Sequence, residues 1–329
     1  MAAPNPSRNT RPYRAVSFDH IKVFTGTANP TLAEEICGEL GCPLGAMALR
    51  TFADGEIYLQ IQENVRGADV FVVQPTSTPV ERHLIELFLM MDALRRASAE
   101  RITAVLPYYG YARQDRKDKP RVPISARLFA NLLERAGADR ILALDLHAAQ
   151  IAGFFDVPVD HLFATPVFLE HFKPDDIADL TVVSPDAGGV ERARAFAKRL
   201  NAPLAIIDKR REEANIAEVM HIIGEVGGRN CLMVDDLIDT GGTLVKGAEA
   251  LLDQGARSVM ACATHGVLSP PAIQRLLDSR ITQVVLTNSI PIKDEVKNSS
   301  RFKTLSVASL LAKAIQSIHE ESSVSTLFV

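Results

Sequence analysis

Carboxylates, hydroxyls and glycines follow a short apolar run in the segment MVDDLIDTGGTL, residues 233–244. The acids, threonines and glycines of this segment are Asp235, Asp236, Asp239, Thr240, Gly241, Gly242 and Thr243. Glycine N–H groups at the start of a helix can bind one phosphate together, and the threonines add hydroxyl donors. The two upstream acids suit sugar hydroxyls or a magnesium shell. The segment therefore predicts a site for a phosphorylated sugar.

The same letters have a purely structural explanation, in which an acidic strand end precedes a threonine that caps a helix. Three acids together with TGGT in one strand–turn–helix context favour the ligand site over this explanation. In an open parallel sheet, ligands bind beyond the carboxyl ends of the strands. We therefore expect the apolar strand to end at Val234, the acids to follow it, and the helix to begin near Leu244.

A second segment, SPDAGGVERAR, repeats this order. Asp186 ends a predicted strand, Gly188 and Gly189 allow a tight turn, and a helix begins after them. An anion of the size of pyrophosphate fits such a turn, with Asp186 near a metal ion.

A third segment, LPYYGYARQDRK, follows the predicted strand Ile102–Leu106. Arg113, Arg116 and Lys117 put three cations on a glycine-containing loop, as a polyphosphate requires. A solvated basic loop that pairs with its own aspartates remains an open alternative.

Three further features have ordinary structural explanations when taken alone. FADGEIYLQI reads as a hairpin turn at Asp54 and Gly55, and His147 after a strand is typical of a hydrogen-bonded structural histidine. The segment IIDKRREEANIAE, with Lys209 and Arg211, reads as an exposed charged loop.

Length, charge and cysteine content argue against several classes of protein. The chain has 329 residues, enough for two domains, and its net charge of −4 argues against a general nucleic-acid binder. No apolar run approaches the length that spans a membrane, and residues 1–17 read as a flexible tail. The four cysteines form no CxxC pair, and Cys231 and Cys262 read as small buried hydrophobes, which fits a reducing, cytoplasmic location.

Short apolar runs alternate with amphipathic segments, which predicts an α/β chain with mainly parallel sheets. Two leucine-rich stripes at helical spacing, one starting at Leu84 and one formed by Leu128, Leu132 and Leu133, predict buried helix faces. A closing helix is predicted over 307–318 with Ser306 as its cap. The predicted strands are Ile21–Phe24, Val70–Gln74, Ile102–Leu106, Ile141–Leu144, Thr181–Ser184, Leu204–Ile207, Cys231–Val234, Val259–Thr264 and Val284–Thr287.

Taken together, these motifs resemble those of a known family. VDDLIDTGGT is similar to the phosphoribosyl-binding loop of the type I phosphoribosyltransferase fold. With FADGE, LPYYGYARQDRK, DLHAAQIAGFFD, VVSPDAGGVERAR and IIDKRR, it resembles the ribose-phosphate diphosphokinases, from KVFTGTANPTLAEEI to the final SVSTLFV. That family transfers the β,γ-diphosphoryl group of ATP to the anomeric hydroxyl of ribose 5-phosphate and releases AMP.

The resemblance implies two phosphoribosyltransferase-like domains, each a mainly parallel sheet flanked by helices. Residues 18–160 would form the ATP-binding domain, completed by the C-terminal helix of 305–329, and residues 161–304 the ribose-5-phosphate-binding domain. It also implies a homo-oligomer, a hexamer built from dimers, in which FADGE completes the ATP site of a neighbouring subunit. Mg²⁺ is the implied cofactor; ATP and ribose 5-phosphate are the implied partners, with no nucleic acid and no membrane.

The resemblance also implies site residues. The ribose 5-phosphate ligands are the seven acids, threonines and glycines of the first segment. The catalytic pair on a mobile loop is Lys209 and Arg211. The metal ligands are His147 and Asp186. The ATP ligands are Phe52, Asp54, Glu56, Arg113, Gln114, Asp115 and His147.

Two alternatives stay open. A phosphoribosyltransferase would need one such domain and would leave the Arg113 loop and the chain length unexplained. A non-catalytic regulatory homologue that assembles with active subunits would be favoured by losses at His147, Lys209, Arg211 or the acid pair, and all of these are present.

Overall fold

The computed structural model describes residues 21–173, 177–210 and 219–328. In chain order the strands are β1 (Ile21–Thr25), β2 (Met47–Thr51), β3 (Ile57–Ile61), β4 (Asp69–Val73), β5 (Arg101–Leu106), β6 (Arg140–Leu144), β7 (Val159–Leu162), β8 (Leu180–Ser184), β9 (Leu204–Arg210), β10 (Val219–Ile223), β11 (Asn230–Ile238), β12 (Ser258–Gly266), β13 (Gln283–Thr287) and β14 (Phe302–Leu305). The helices are α1 (Pro30–Leu40), α2 (Val80–Arg96), α3 (Ser125–Ala136), α4 (Thr165–His171), α5 (Val190–Arg199), α6 (Gly242–Asp253), α7 (Ala272–Leu277), α8 (Asp294–Lys297) and α9 (Ala308–His319).

The strands form two large sheets and one hairpin. The first sheet is parallel, with the order β1–β4–β5–β6–β7, and the second has the order β10–β9–β8–β11–β12–β13–β14. In the second sheet β10 is antiparallel to β9 and the other strands are parallel. The hairpin pairs β2 with β3. The predicted α/β fold with parallel sheets is confirmed.

The central strands are apolar because helices cover both faces of a parallel sheet. All five residues of β4 (DVFVV) and of β8 (LTVVS) are buried. One buried cluster contains residues from both sheets, among them Phe71 in the first and Val182 and Leu232 in the second, with Phe168 and Phe172 between. The two sheets therefore share part of one core.

The last helix packs against the first. α1 begins with Asn29 as its cap, whose side chain accepts the Leu32 N–H at 3.4 Å, and ends at Gly41, where φ is 66°. α9 buries its apolar face against α1, and His319 Nδ1 lies 2.8 Å from Asp69 Oδ2 at the start of β4. The end of the chain is thereby anchored to the first sheet.

Each of the nine predicted strands overlaps an observed one. The closing helix runs over Ala308–His319, and its N-cap residue is Val307 rather than the predicted Ser306. Ser306 precedes the cap and accepts the Ala308 N–H at 3.2 Å through Oγ. The sequence reading named only the turn of the β2–β3 hairpin and left out β7, β10 and β14, which are short or lie at sheet edges.

Two predictions were wrong in detail. β11 continues past Val234 to Ile238, so the acid pair lies inside the strand, because β12 keeps pairing with β11 there. The predicted stripe of α3 is also different: Leu133 is buried with Ala126 and Ala130, whereas Leu128 and Leu132 are 52% and 39% exposed. The small residues let α3 approach the sheet, and the two leucines point away from it.

Within the ranges given above, no helix is both long enough and apolar enough to cross a bilayer.

The packing of α9 on α1 predicts a large cost for truncating Leu311, which is fully buried in the cluster that spans both sheets. Leu311→Ala should lower the free energy of unfolding by about 2–5 kcal/mol, because it leaves a cavity. Lys313→Ala on the exposed face of the same helix is the matched control and should change it by less than about 0.5 kcal/mol. Urea unfolding measures both; equal effects would show that α9 is not part of the core.

Candidate functional site

The acid pair lies at the point where the strand order of the second sheet reverses. β8 pairs with β11 as far as Val183–Met233, whereas β12 follows β11 as far as Gly266–Ile238. The chain leaves β8 toward β9 on one side, and β11 toward β12 on the other. Asp235 and Asp236 therefore border the crevice at the carboxyl end of β8, the usual ligand position in such sheets.

Two basic side chains from other elements contact the acid pair. His147 Nδ1, from the loop after β6 of the first sheet, lies 2.7 Å from Asp236 Oδ2. Arg192 in the first turn of α5 lies 3.3 Å from Asp236 Oδ1 and 3.7 Å from Asp235 Oδ1. The two sheets and the second glycine turn thus meet at one carboxylate.

Proximity and burial set the ionisation of this cluster. Burial and the charge of Asp236 raise the pKa of Asp235. Burial also disfavours the Asp236 anion, yet the hydrogen bond from His147 and the charge of Arg192 hold its pKa below the ordinary range. The same hydrogen bond raises the pKa of His147. The hydrogen bond between His147 and Asp236 therefore favours the ionised form of Asp236.

The loop after β11 has the backbone that anion binding needs. Gly241 has φ 70°, in the left-handed region that favours glycine, and α6 begins at the next residue, two residues before the predicted Leu244. Thr240 and Thr243 are exposed, and Arg275 Nη1 donates to the Thr240 carbonyl at 2.6 Å. The exposed hydroxyls and the start of the helix dipole are therefore available to a phosphate.

The loop after β8 has the predicted tight turn. Asp186 Oδ1 accepts the Gly189 N–H at 3.0 Å, and Ser184 Oγ donates to the Asp186 carbonyl at 2.7 Å. The charge of Asp186 adds to the rise of the Asp235 pKa, so the two carboxylates are electrostatic neighbours.

The predicted ATP loop touches the predicted ribose phosphate loop. Arg113 Nη1 lies 2.7 Å from Asp239 Oδ2. Ser125 Oγ donates to Gln114 Oε1 at 2.6 Å, and Gln150 Nε2 donates to Asp115 Oδ2 at 2.9 Å. The Arg113–Asp239 contact brings residues of two separately predicted sites to the same crevice.

A small cavity lies between the two sheets beside these residues. Its volume is about 10 Å³, the space of about one water molecule. Its lining includes Tyr108, Arg113, His147, Asp236 and His265.

The FADGE turn is a hairpin tip with local contacts. The Phe52 N–H donates to the Glu56 carbonyl at 2.8 Å, and Asp54 Oδ1 accepts the Glu56 N–H at 3.1 Å. The Phe52 ring is 45% exposed, and Arg50 lies 4.4 Å from the ring centroid of Tyr58. The hairpin turn is confirmed, and its tip presents an exposed aromatic face together with two exposed acids.

The structure describes the predicted catalytic pair only in part. The backbone of Lys209 lies in β9, paired with Met220 of β10. Arg211 lies outside the described residues.

The sequence reading missed Arg192. Two adjacent acids at a partly buried strand end need a neighbouring cation. The position of Arg192 in ERAR, directly after the glycine turn of the second segment, was the available signal. Among the described residues, no group of three or more His, Cys, Asp and Glu side chains is arranged to hold a metal by itself.

Comparison with known proteins gives consistent matches over most of the chain. Residues 21–137 match the family model of the N-terminal domain of ribose phosphate pyrophosphokinase, and residues 214–329 match the phosphoribosyl synthetase-associated domain. The ribose-phosphate pyrophosphokinase of Parasynechococcus marenigrum (strain WH8102) is 56% identical over 310 residues, covering 94% of this chain and 93% of that protein. The enzyme of the same name from Caldanaerobacter subterraneus subsp. tengcongensis is 57% identical over 309 residues, covering 94% of this chain and 98% of that one.

A solved structure is also similar. The crystal structure of phosphoribosylpyrophosphate synthetase from Mycobacterium smegmatis matches with a TM-score of 0.87 and 44% identity, and covers 92% of this chain and 100% of that one.

The contact of His147 with Asp236 predicts how stability depends on pH. The folded pKa of His147 lies above the ordinary 6.5, so its stabilising contribution is complete below that pH and is lost as pH rises through the folded pKa. His147→Gln should therefore lower the melting temperature more at about pH 6 than at about pH 9. The imidazole is partly exposed, so a difference of about 1–2 °C is expected, from on the order of 0.5 kcal/mol for a screened pair.

His221→Gln, on the exposed side of β10, is the control and should give no such trend. A melting difference for His147→Gln that stays constant from pH 6 to pH 9 would contradict the ion pair.

Proposed function

The chain belongs to the ribose-phosphate pyrophosphokinase family, and we propose that it transfers the diphosphoryl group of ATP to the 1-hydroxyl of ribose 5-phosphate. The products are 5-phosphoribosyl 1-diphosphate, a precursor for nucleotide biosynthesis, and AMP. The motif resemblance found in the sequence is confirmed by these matches. The fold is that of a two-domain phosphoribosyltransferase-type protein, as in the M. smegmatis enzyme.

One observation carries the proposal: the ATP loop and the ribose phosphate loop meet at the Arg113–Asp239 ion pair, beside the His147–Asp236 contact. A direct transfer between two substrates requires two adjacent sites, because the reacting atoms must come within about 3–3.5 Å of each other. A phosphoribosyltransferase would leave the Arg113 loop without a role.

In the proposed reaction, the 1-hydroxyl oxygen of the sugar attacks the β-phosphorus of ATP. The bond between that phosphorus and the α–β bridging oxygen breaks, AMP leaves, and the hydroxyl proton is released to solvent. We assign no side chain as general base. Catalysis then depends mainly on positioning and on neutralising charge.

We propose that the residues implied by the resemblance act as follows. Asp235 and Asp236 bind the sugar hydroxyls, and residues 239–243 bind the 5-phosphate. Residues 113–115 and His147 bind the ATP phosphates, and Phe52, Asp54 and Glu56 bind the adenine. Lys209 and Arg211 stabilise the charge that develops on the transferred group.

We propose Mg²⁺ as the cofactor, held by Asp186 and His147 together with substrate oxygens. Mg²⁺ is usually bound by one or two carboxylates plus phosphates rather than by a protein cage. The Asp186 carboxylate, oriented by the Gly189 N–H, fits that pattern. When bound, the ion would neutralise charge on the ATP oxygens.

We propose that the protein is a homo-oligomer in the cytoplasm, a hexamer with active sites shared between subunits. The exposed aliphatic side chains of α2 and α3, two helices that contact each other, support association between subunits. Such a patch is typical of a surface that another chain covers. Its members are Ile85, Leu89, Leu128 and Leu132, which are 36–52% exposed.

We also propose the domain division of 18–160 and 161–304, with the C-terminal helix completing the first domain; the packing of α9 on α1 supports it.

The activity itself is tested by measuring AMP formation from ATP. AMP should appear only when ribose 5-phosphate is present, and ribose without its phosphate is the control. No AMP with both substrates and Mg²⁺ would favour a regulatory homologue instead.

Replacing Lys209 or Arg211 with Ala should reduce kcat by about 10²–10³-fold, because contacts made mainly in the transition state act on kcat. KM for either substrate should change much less. Lys198→Ala, an exposed cation on α5, is the control and should retain normal turnover. Near-normal turnover in both site variants would exclude this pair as the catalytic one.

The shared site predicts complementation between two inactive variants. One variant changes Phe52 and Glu56, and the other changes Lys209 and Arg211. A mixed pair of subunits can collect both lesions in one site and leave the other intact, so activity should return when subunits exchange. If mass spectrometry demonstrates that the subunits exchange and AMP formation is still absent, the hairpin tip does not contribute to the active site of a neighbouring subunit.

A further inference from the structure

The loop that presents His147 begins with a strained residue. Asp145 follows β6, is 4% exposed and has a φ of 40°. This left-handed conformation is uncommon for a residue with a side chain, and it persists where the surroundings hold it from several sides.

Part of this support comes from the same sheet. The Asp145 N–H donates to the Leu162 carbonyl at 2.8 Å, and Asp145 Oδ2 accepts the Ala164 N–H at 2.8 Å. The Leu146 N–H donates to His161 Nε2 at 2.9 Å. These contacts fix the loop against β7 and the residues that follow it.

The other part comes from β12 of the second sheet. Thr264 Oγ1 donates to Asp145 Oδ2 at 2.6 Å, and His265 Nε2 lies 3.1 Å from the Asp145 carbonyl oxygen. Both residues are 2% exposed. The second sheet therefore holds the same residue by its side chain and by its backbone.

Hydrogen-bond accounting fixes the form of His265. A carbonyl only accepts, so Nε2 must carry the hydrogen. Burial lowers the pKa of His265, and Nδ1 lies 2.9 Å from Ser289 Oγ. The Ser289 hydroxyl also donates to the Thr264 carbonyl oxygen at 2.9 Å, which accepts a second hydrogen bond from Thr287 Oγ1 at 2.7 Å. Ser289 thus orients His265, and His265 donates to the loop.

The position of β12 gives these contacts a role beyond packing. β12 pairs with β11 at Ala263–Asp235 and at His265–Leu237, so Thr264 is the neighbour of Asp236 across the ladder. Side chains alternate along strands, so Thr264 and Asp236 project from the same face. The strand beside the acid pair therefore also holds the loop that brings His147 to it.

We propose that Thr264 and His265 are positioning residues, which act through Asp145 to place His147 against Asp236 across the two sheets. The proposal rests on the proposed function for its effect on turnover. Its effect on the His147–Asp236 contact stands independently of that function.

Two matched pairs of variants test this. Thr264→Val removes the hydroxyl at nearly constant volume, and Thr264→Ser keeps it. His265→Phe removes the donor, and in His265→Gln the amide nitrogen can replace Nε2. We expect Val and Phe to lower kcat by about 10–100-fold, as a displacement near 1 Å does, and Ser and Gln to stay within about threefold of the original protein.

The readout that separates positioning from stability is a double-mutant cycle that combines Thr264→Val or His265→Phe with His147→Gln, measured by urea unfolding. If the β12 residues act through His147, the double variant should lose less free energy of unfolding than the sum of the two single variants, because replacing His147 has already removed the contact with Asp236. Additive losses together with normal kcat would overturn the proposal.

If the two disruptive variants do not fold, Ser289→Ala takes their place, because it removes the group that orients His265 without touching the loop. Its effect should also be less than additive with that of His147→Gln, by a smaller amount, and strictly additive effects would overturn the proposal. If the original protein forms no AMP, the proposed function fails, and the unfolding measurements still decide whether the positioning is real.

Discussion

Two adjacent carboxylates in a partly buried crevice are the constraint on which the rest of the site depends. Asp235 and Asp236 repel each other when both are ionised, and burial adds to the cost of each charge. Two basic side chains from different elements contact the pair, Arg192 from α5 and His147 from the loop after β6 of the first sheet. Removing either one would leave a buried charge poorly compensated. The acid pair thus ties the relative position of the two sheets to the electrostatics of the crevice.

The same crevice is built from strand ends that are far apart in sequence. The loops after β5, β6, β8 and β11 all contribute to it, since parallel strands bring their carboxyl ends to one edge. Three polar contacts join the two sheets there, at Asp145 with Thr264, His147 with Asp236, and Arg113 with Asp239. A second polar group joins α1 to the loop after β13, at Asn29 and Glu35 with Asn288. The shared apolar cluster that includes Phe168 and Phe172 adds packing to these hydrogen bonds.

Most of the fold could be predicted because buried parallel strands are nearly continuous apolar runs, which stand out in β4 and β8. The extension of β11 through Asp235 and Asp236 could not, because it depends on pairing with β12 rather than on local hydrophobicity. Motifs predicted His147 and Asp236 as site residues, and their contact emerged only in the structure. Arg192 lies in the SPDAGGVERAR motif, but its contact with the acid pair could not be read from that motif. Thr264 and His265 lie in no motif, and the contacts on which their proposed roles rest are with a residue distant in sequence. The exposed leucines of α3 show the reverse error, in which helical spacing was correct and the buried face was misassigned.

The packing of α9 on α1 has a consequence for how the chain acquires its fold during synthesis. Asp69 and His319, which bond to each other, are 250 residues apart in sequence. The strands of the first sheet emerge from the ribosome before those of the second, but one helix that covers the first sheet is made only after the second sheet. Until then, the part of α1 that packs on α9 has no permanent partner, and contacts of such long range form slowly because loop closure opposes them. The nascent chain must therefore keep an incomplete core in solution, a state in which long chains are prone to associate wrongly. The core beside the first sheet is therefore completed only after the second sheet has been synthesised, although the strands of the first sheet come before those of the second in the sequence.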